Sequence, residues 1–183
     1  MPVFNNILAG AAGQSGGDAG YKIERSLRFN DGDDSYLSKT FSPTNRKKWT
    51  YSAWVKRAGL GTEDIIFWAN DNYIRFDVAD TLSVNWAFSN STSTAVFRDP
   101  SAWYHIVWVF DTDNSTASER SKVYVNGEVI TLSSYPSAGH STCHINNNTE
   151  HRIGMQGNTA NGLDGYLADV HFVDGQALTA DDF

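Results

Sequence analysis

Nucleophilic, acid–base, metal-binding and sugar-stacking sites each need a different residue pattern, and fragments of all four occur in this chain. Gly13-Gln14-Ser15-Gly16-Gly17 has the G-x-S-x-G form of a nucleophile elbow. An elbow needs a strand before the serine and a helix after it, so that the hydroxyl stands on a strained turn. The surrounding residues are Gly, Ala and Ser, which supply neither, and acyl transfer is rejected here. Glu63 and Asp64 are adjacent carboxylates. A strand sends adjacent side chains to opposite faces, so the two cannot flank one glycosidic bond.

Acidic turns are better placed for a hard cation. Asn30, Asp31, Asp33 and Asp34 crowd one turn, and Asp111, Asp113 and Asn114 crowd another. Calcium takes roughly six to eight oxygens, which such loops can supply. Asp111 and Asp113 are the candidate calcium ligands, and no other cofactor is expected. Neither loop has the glycine and terminal glutamate of an EF-hand, and Asx residues also populate turns by bonding their own backbone. His140 and His144 are four apart, but among Ser, Gly and Thr rather than on a helix, so they do not make a zinc pair. His105, His151 and His171 fall in strand-like stretches. Cys143 is the only cysteine. It has no disulfide partner within the chain and reads as a buried, inert thiol.

Aromatic side chains offer the remaining chemistry. Indole and phenol rings stack on the apolar faces of sugars while polar neighbours fix orientation. Trp54, Trp68, Trp86, Tyr73 and Trp108 are candidates, with packing in a core as the competing role for each. Trp86, between Asn85 and the polar run from Ser89 to Thr94, is expected to be displayed. Trp86, Trp54 and Tyr73 are the candidate ligand-binding residues.

These side chains must be positioned by sheets. Charged residues are only 19 % of the chain and aromatics reach 13 %, a balance that suits pleated, half-buried surfaces better than a helical bundle. From Tyr21 onward, apolar and polar residues alternate between turn clusters spaced about 8–12 residues apart, the pattern of a sandwich or barrel. Trp49, Tyr51, Ala53 and Val55 share one face of a strand, with Thr50, Ser52 and Lys56 on the other. Segments 65–68, 73–78 and 82–88 read as a meander. The apolar stretch from Trp103 to Asp111 reads as a central strand covered on both faces. Asn126-Gly127 between Val123-Tyr124-Val125 and Glu128-Val129-Ile130 is a strong hairpin signal. Thr179-Ala180-Asp181-Asp182 has the form of a capped helical turn. The chain ends just as that turn opens, which suggests the front part of a longer polypeptide.

A net charge of −7 and the lack of a basic stripe beyond Arg46-Lys47-Lys48 argue against nucleic acid as a partner. No apolar run approaches the roughly 18 residues of a membrane span. Residues 1–20 differ from the rest: Val3, Phe4, Ile7 and Leu8 precede a Gly- and Ala-rich stretch. They read as an N-terminal docking arm, with apolar anchors that order on a partner, ahead of a single domain over 21–183.

The segments SLRFNDGDDSYLS, WTYSAWVKR, WYHIVWVFD, KVYVNGE and GYLADVHFVDG, in that order, resemble the laminin-G-like group of the concanavalin-A-like lectin jelly rolls. The resemblance covers about residues 25–178 and implies an all-β fold, two curved antiparallel sheets packed face to face. Glucanases of that superfamily carry Glu-x-Asp-x-x-Glu on one strand, and this chain has no such run, so no enzyme activity is expected. The opening MPVFNNILAGAAGQSGG and the end GYLADVHFVDGQALTADDF also resemble virion proteins of marine tailed phages. That likeness implies a non-enzymatic tail-fibre or appendage protein, located on the virion. Its arm would dock to other virion proteins, its domain would contact host surface glycans, and it would form a homo-oligomer, a trimer. A carbohydrate-binding module, a head-decoration protein or a secreted adhesin is the alternative.

Overall fold

The computed structural model describes residues 23–87, 89–158 and 160–183. The proposed docking arm, Val3, Phe4, Ile7 and Leu8 included, lies outside them. Among the described residues twelve strands are formed, and the remaining regular elements are single 3-10 turns. In chain order the strands are β1 (Leu27–Phe29), β2 (Leu37–Thr40), β3 (Lys48–Arg57), β4 (Asp64–Ala69), β5 (Asn72–Phe76) and β6 (Thr81–Trp86). They continue as β7 (Ser89–Val96), β8 (Tyr104–Asp111), β9 (Ser121–Val125), β10 (Glu128–Ile130), β11 (Glu150–Ile153) and β12 (Gly165–Asp174).

They pair into two six-stranded antiparallel sheets. The first runs β1-β12-β3-β8-β9-β10, and the second runs β2-β11-β4-β5-β6-β7. This is the expected all-β sandwich. Alternation along each strand fills the space between the sheets. The first sheet contributes Trp49, Tyr51, Ala53 and Val55 of β3 with Ile106, Trp108 and Phe110 of β8. The second contributes Phe67, Ala69, Ile74, Phe76, Leu82, Val84 and Trp86. Aromatic packing anchors the centre. The Trp49 ring meets Trp108 edge-on at 4.8 Å and stacks on Phe110 at 4.9 Å, while Tyr51 stacks on Phe67 at 4.7 Å. Cys143 is fully buried here, and burial pushes its thiol up to about 12, so it is unreactive at neutral pH.

The polar run after Trp86 is strand β7. Its hydroxyls replace the apolar contacts that a strand usually needs. Ser91 Oγ donates to the Ser134 carbonyl at 2.8 Å, and Ser93 bridges to Leu132 of the segment after β10. These bonds close one side of the sandwich. The opposite side, between edge strands β1 and β2, stays open as a cleft of about 370 Å³ lined by Leu27, Phe29, Leu37, Ile153 and Leu167.

A buried ion network ties one end together. Arg57 is 1 % exposed and bonds Asp80 at 3.0 Å, Asp64 at 3.1 Å and the Phe97 carbonyl at 2.8 Å, with its guanidinium 4.5 Å from the centre of the Phe76 ring. The Gly61 N–H and the Arg98 and Arg57 guanidiniums hold the Asp80 carboxyl below its ordinary range, against the effect of burial.

Part of the outward face of the first sheet is covered by the chain's own last segment. Thr50 Oγ1 donates to the Gln176 carbonyl and accepts from the Leu178 N–H, each at 2.9 Å. Ala180 and Phe183 then pack over Val107, Val109 and Tyr124. The Thr179–Asp182 capping box forms as the sequence indicates, but it opens a 3-10 turn, Ala180–Asp182.

Candidate functional site

With the first sheet's outward face partly covered, the outward face of the second sheet is the broader surface of strand-borne side chains. Side chains alternate across a pleat. With Phe67, Ile74 and Val84 turned inward, Trp68, Tyr73 and Asn85 turn outward. Pairing aligns them: Ser38 opposes Arg152, Arg152 opposes Trp68, Trp68 opposes Tyr73, Tyr73 opposes Asn85, and Asn85 opposes Asn90. One row of side chains thus crosses all six strands, about 24 Å at the usual strand spacing. Beside it, on the same face, Arg75 opposes Ser83.

The rings in this row are held by cations. The Arg152 guanidinium lies 4.3 Å from the centre of the Tyr36 ring and 5.8 Å from that of Trp68. Arg75 lies 4.5 Å from the centre of the Tyr73 ring. Each arginine is itself fixed by a carboxylate. Arg152 bonds Glu150 at 2.9 Å, and Arg75 bonds Glu63 at 2.6 Å. Gly157 completes the platform: its Cα sits so close to Trp68 that a Cβ there would overlap the indole's six-membered ring. The backbone at Gly157 therefore backs the ring and limits its tilt.

Beside the row, beyond Arg75, lies a polar depression of about 420 Å³ lined by Gly61, Thr62, Glu63, Val78 and Asn161. Asn161 Nδ2 donates to Glu63 at 2.7 Å and to Gln156 at 3.2 Å, tying the depression to the arginine-held strip. Rings for stacking, amides and hydroxyls for hydrogen bonding, and a polar recess thus lie on one surface. The open cleft between β1 and β2 offers mainly apolar side chains and little to orient a polar ligand.

The sequence candidates divide. Tyr73 lies in the row, and so does Trp68. Trp86 corrects the expectation of a displayed ring. It faces inward and is 2 % exposed, because the polar run after it continues the sheet as β7 and keeps Trp86 in register with the core. Trp54 is half-buried on the outward face of the other sheet, stacked on His105 at 4.8 Å, so it does not join Tyr73. His105 is satisfied within that sheet, 3.0 Å from Ser52 Oγ, and burial holds its pKa low. Trp108 is in the core and bonds Ser121 Oγ at 3.0 Å.

Asp111 and Asp113 do not converge on a cation position. Asp111 bonds Lys48 at 3.0 Å and Asp113 bonds Lys47 at 3.1 Å, so ammonium groups occupy the carboxylates expected to hold calcium. Among the described residues, no group of three or more His, Cys, Asp or Glu is arranged to hold a metal ion. The other acidic turn bonds internally, Asn30 Nδ2 to Asp33 at 2.8 Å. Sequence reasoning missed Arg152, Arg75 and Tyr36. The available signal was alternation: Arg152 and Arg75 are long cations one residue from the inward-facing Ile153 and Ile74, which turns them to the outward face.

The fold and this surface define a lectin-type sandwich. The chain belongs to the concanavalin A-like lectin/glucanases superfamily, whose laminin-G-type family matches residues 30–182. Among solved structures, it is similar to a Bacteroides ovatus protein to which carbohydrate binding has been ascribed (TM-score 0.69, 20 % identity, 88 % of this chain and 46 % of that one). It is also similar to domains LG4-5 of the mouse laminin α1 chain (0.60, 11 %, 91 % and 46 %). A third is the CBM40 of a Ruminococcus gnavus IT-sialidase bound to α2,3-sialyllactose (0.54, 11 %, 75 % and 81 %). The chain spans about half the length of the first two. A search of curated proteins by sequence finds no match. At such identities these structural likenesses speak for the fold.

Proposed function

We propose that this domain binds carbohydrate without transforming it, through the outward face of the second sheet. The observation that carries this is the Arg152–Trp68–Tyr73–Asn85–Asn90 row, in which two held rings are followed by two amides along one line, Asn85 buried and Asn90 exposed. Rings supply apolar area to the sugar face, and amides accept and donate to its hydroxyls. The length of the row exceeds a single sugar ring and suits an oligosaccharide. Solved structures of similar fold include a protein credited with carbohydrate binding and a module bound to a sialylated sugar, which agrees with this use.

Catalysis receives no support from the site. Glu63 and Glu150 each neutralise an arginine, and Glu63, although it shares its depression with Asp31, is bound by Arg75 and Asn161 rather than left free as an acid or nucleophile. The test is a titration of the full chain, labelled for NMR, with a panel of oligosaccharides. The expected result is saturable shifts confined to Trp68, Tyr73, Asn85, Asn90 and their neighbours. Shifts centred on Trp54, or none with any glycan, would overturn the assignment.

The narrower reading is a phage virion appendage that presents this face to host glycans. It rests on the sequence resemblance of the opening and closing segments. On that reading residues 1–20 dock the protein to other virion proteins, and the domain works as a trimer. Deleting residues 1–20 should then abolish incorporation into particles, and normal incorporation would refute it. A carbohydrate-binding module or secreted adhesin would use the same face without a virion.

A further inference from the structure

We infer that the saccharides this face takes are neutral, and that Glu63 and Glu150 set this preference by occupying its arginines. The inference rests on the glycan-binding reading above. A sugar carboxylate or sulfate is best held by a guanidinium presenting two free N–H groups in a fork. Both arginines of the face have that fork occupied. Arg152 donates from Nε and Nη2 to Glu150 Oε2 at 3.0 and 2.9 Å, and from Nη1 to the carbonyls of Gln156 and Gly157 at 3.2 and 3.3 Å. Arg75 spends Nη1 and Nη2 on the two oxygens of Glu63 at 2.7 and 2.6 Å, and its Nε is buried out of a ligand's reach. The rings of Tyr36, Trp68 and Tyr73 lie against the guanidinium groups and narrow the remaining approach.

What the face leaves free is uncharged or acidic. Asn90 and Ser38 are exposed and offer groups that both donate and accept, as sugar hydroxyls require. The adjoining depression carries the carboxylates of Asp31 and Glu63, which repel an anionic ligand. Lys39 of β2 is in register with His151, whose ring turns inward, so its ammonium is on the wrong face to help. The chain's net charge of −7 adds a repulsive background field.

The experiment compares neutral hexasaccharides (cello-, xylo-, malto- and laminari-series) with oligogalacturonate and α2,3-sialyllactose. Calorimetry is run on the full chain and on a Glu63→Gln/Glu150→Gln variant. The native chain should bind at least one neutral series at least about tenfold more tightly than either anionic sugar. Its affinity should hold constant between about 0.05 and 0.5 M salt, where a charge-based contact would weaken. The variant should gain about tenfold or more for an anionic sugar, because each guanidinium keeps its charge with no carboxylate left to neutralise it. Tighter anionic binding by the native chain, or loss of its affinity with salt, would overturn the inference while leaving the glycan reading intact. A folded variant with no gain for anionic sugars would overturn the role of the two glutamates. Binding of none of the sugars would overturn the glycan reading, and the inference with it.

Discussion

Arg152 and Trp68 are direct cross-strand partners on β11 and β4, and the guanidinium stands 5.8 Å from the centre of the indole. The same guanidinium is 4.3 Å from the centre of the Tyr36 ring, so one cation orients two rings that belong to different strands or their ends. It is oriented in turn by Glu150 and two backbone carbonyls. The platform is therefore set before a ligand arrives, which lowers the ordering cost of binding.

Replacing Arg152 with Met keeps apolar bulk but removes the charge. Exposed cation–π contacts are worth about 0.5–1 kcal/mol each. Glycan affinity is expected to fall about three- to tenfold, with thermal stability changed by only a few degrees. Calorimetry alongside thermal unfolding of the same sample checks both numbers.

Gly157→Ala acts on the same ring from behind. The added methyl would overlap the Trp68 indole, and Gly157 has no left-handed backbone to strain, so the effect is steric. The ring must tilt or the 154–158 loop must lift. Affinity should drop several-fold, and the indole Nε1–H resonance of Trp68 should shift in the free protein.

Arg57 is predicted to matter for stability rather than for binding. Arg57→Met would leave Asp64 without its ion-pair partner and Asp80 with Arg98 alone. Breaking a buried pair from one side costs about 3–5 kcal/mol. Urea unfolding should show a loss of that size. Any sugar affinity that remains in the folded fraction should match the native value.

His151 supplies a pH dependence. Its ring is 2 % exposed and stacks on Phe41 at 4.0 Å. Nε2 accepts the Asn146 N–H at 3.0 Å, which puts the proton on Nδ1, 2.9 Å from the Thr149 carbonyl. Burial pushes its pKa from 6.5 down to about 4. Between those values the unfolded chain binds a proton that the folded chain refuses, so stability is full above about pH 6.5 and falls as pH drops toward 4. The loss reaches about 3 kcal/mol at 1.36 kcal/mol per pH unit. Unfolding free energies across that window should show the slope, and His151→Gln should flatten it.

Much of the fold was legible because alternation reports burial directly. The Trp49, Tyr51, Ala53 and Val55 face, the doubly covered β8 and the Asn126-Gly127 hairpin all stand as read. β7 was not legible. The Ser91 hydroxyl and the Thr92 backbone N–H are satisfied by Ser133 and Ser134, distant in sequence, which no local pattern announces. Without the β6–β7 pairing, nothing in the local sequence turns Trp86 inward. The Arg57 network joins residues on β3, β4 and two separate turns, so only the three-dimensional fold brings its charges together. In the site, Tyr73 and Trp68 were visible as aromatic candidates, but their alignment with Arg152 depends on register between β11 and β4. Composition and spacing do not encode that register. The acidic pair Asp111 and Asp113 illustrates the reverse case, since Lys47 and Lys48 claim carboxylates that are distant in sequence.

The central claim is that the outward face of the second sheet is the glycan-binding surface. Its most direct test is calorimetric titration of the native chain, a Trp68→Ala/Tyr73→Ala variant and a Trp54→Ala variant with the best neutral oligosaccharide. The expected result is saturable binding by the native chain and by Trp54→Ala, with at least about a thirtyfold loss in the double variant while its fold is retained. Unchanged affinity in the double variant, or its loss on changing Trp54 alone, would contradict the claim and move the site to the other sheet.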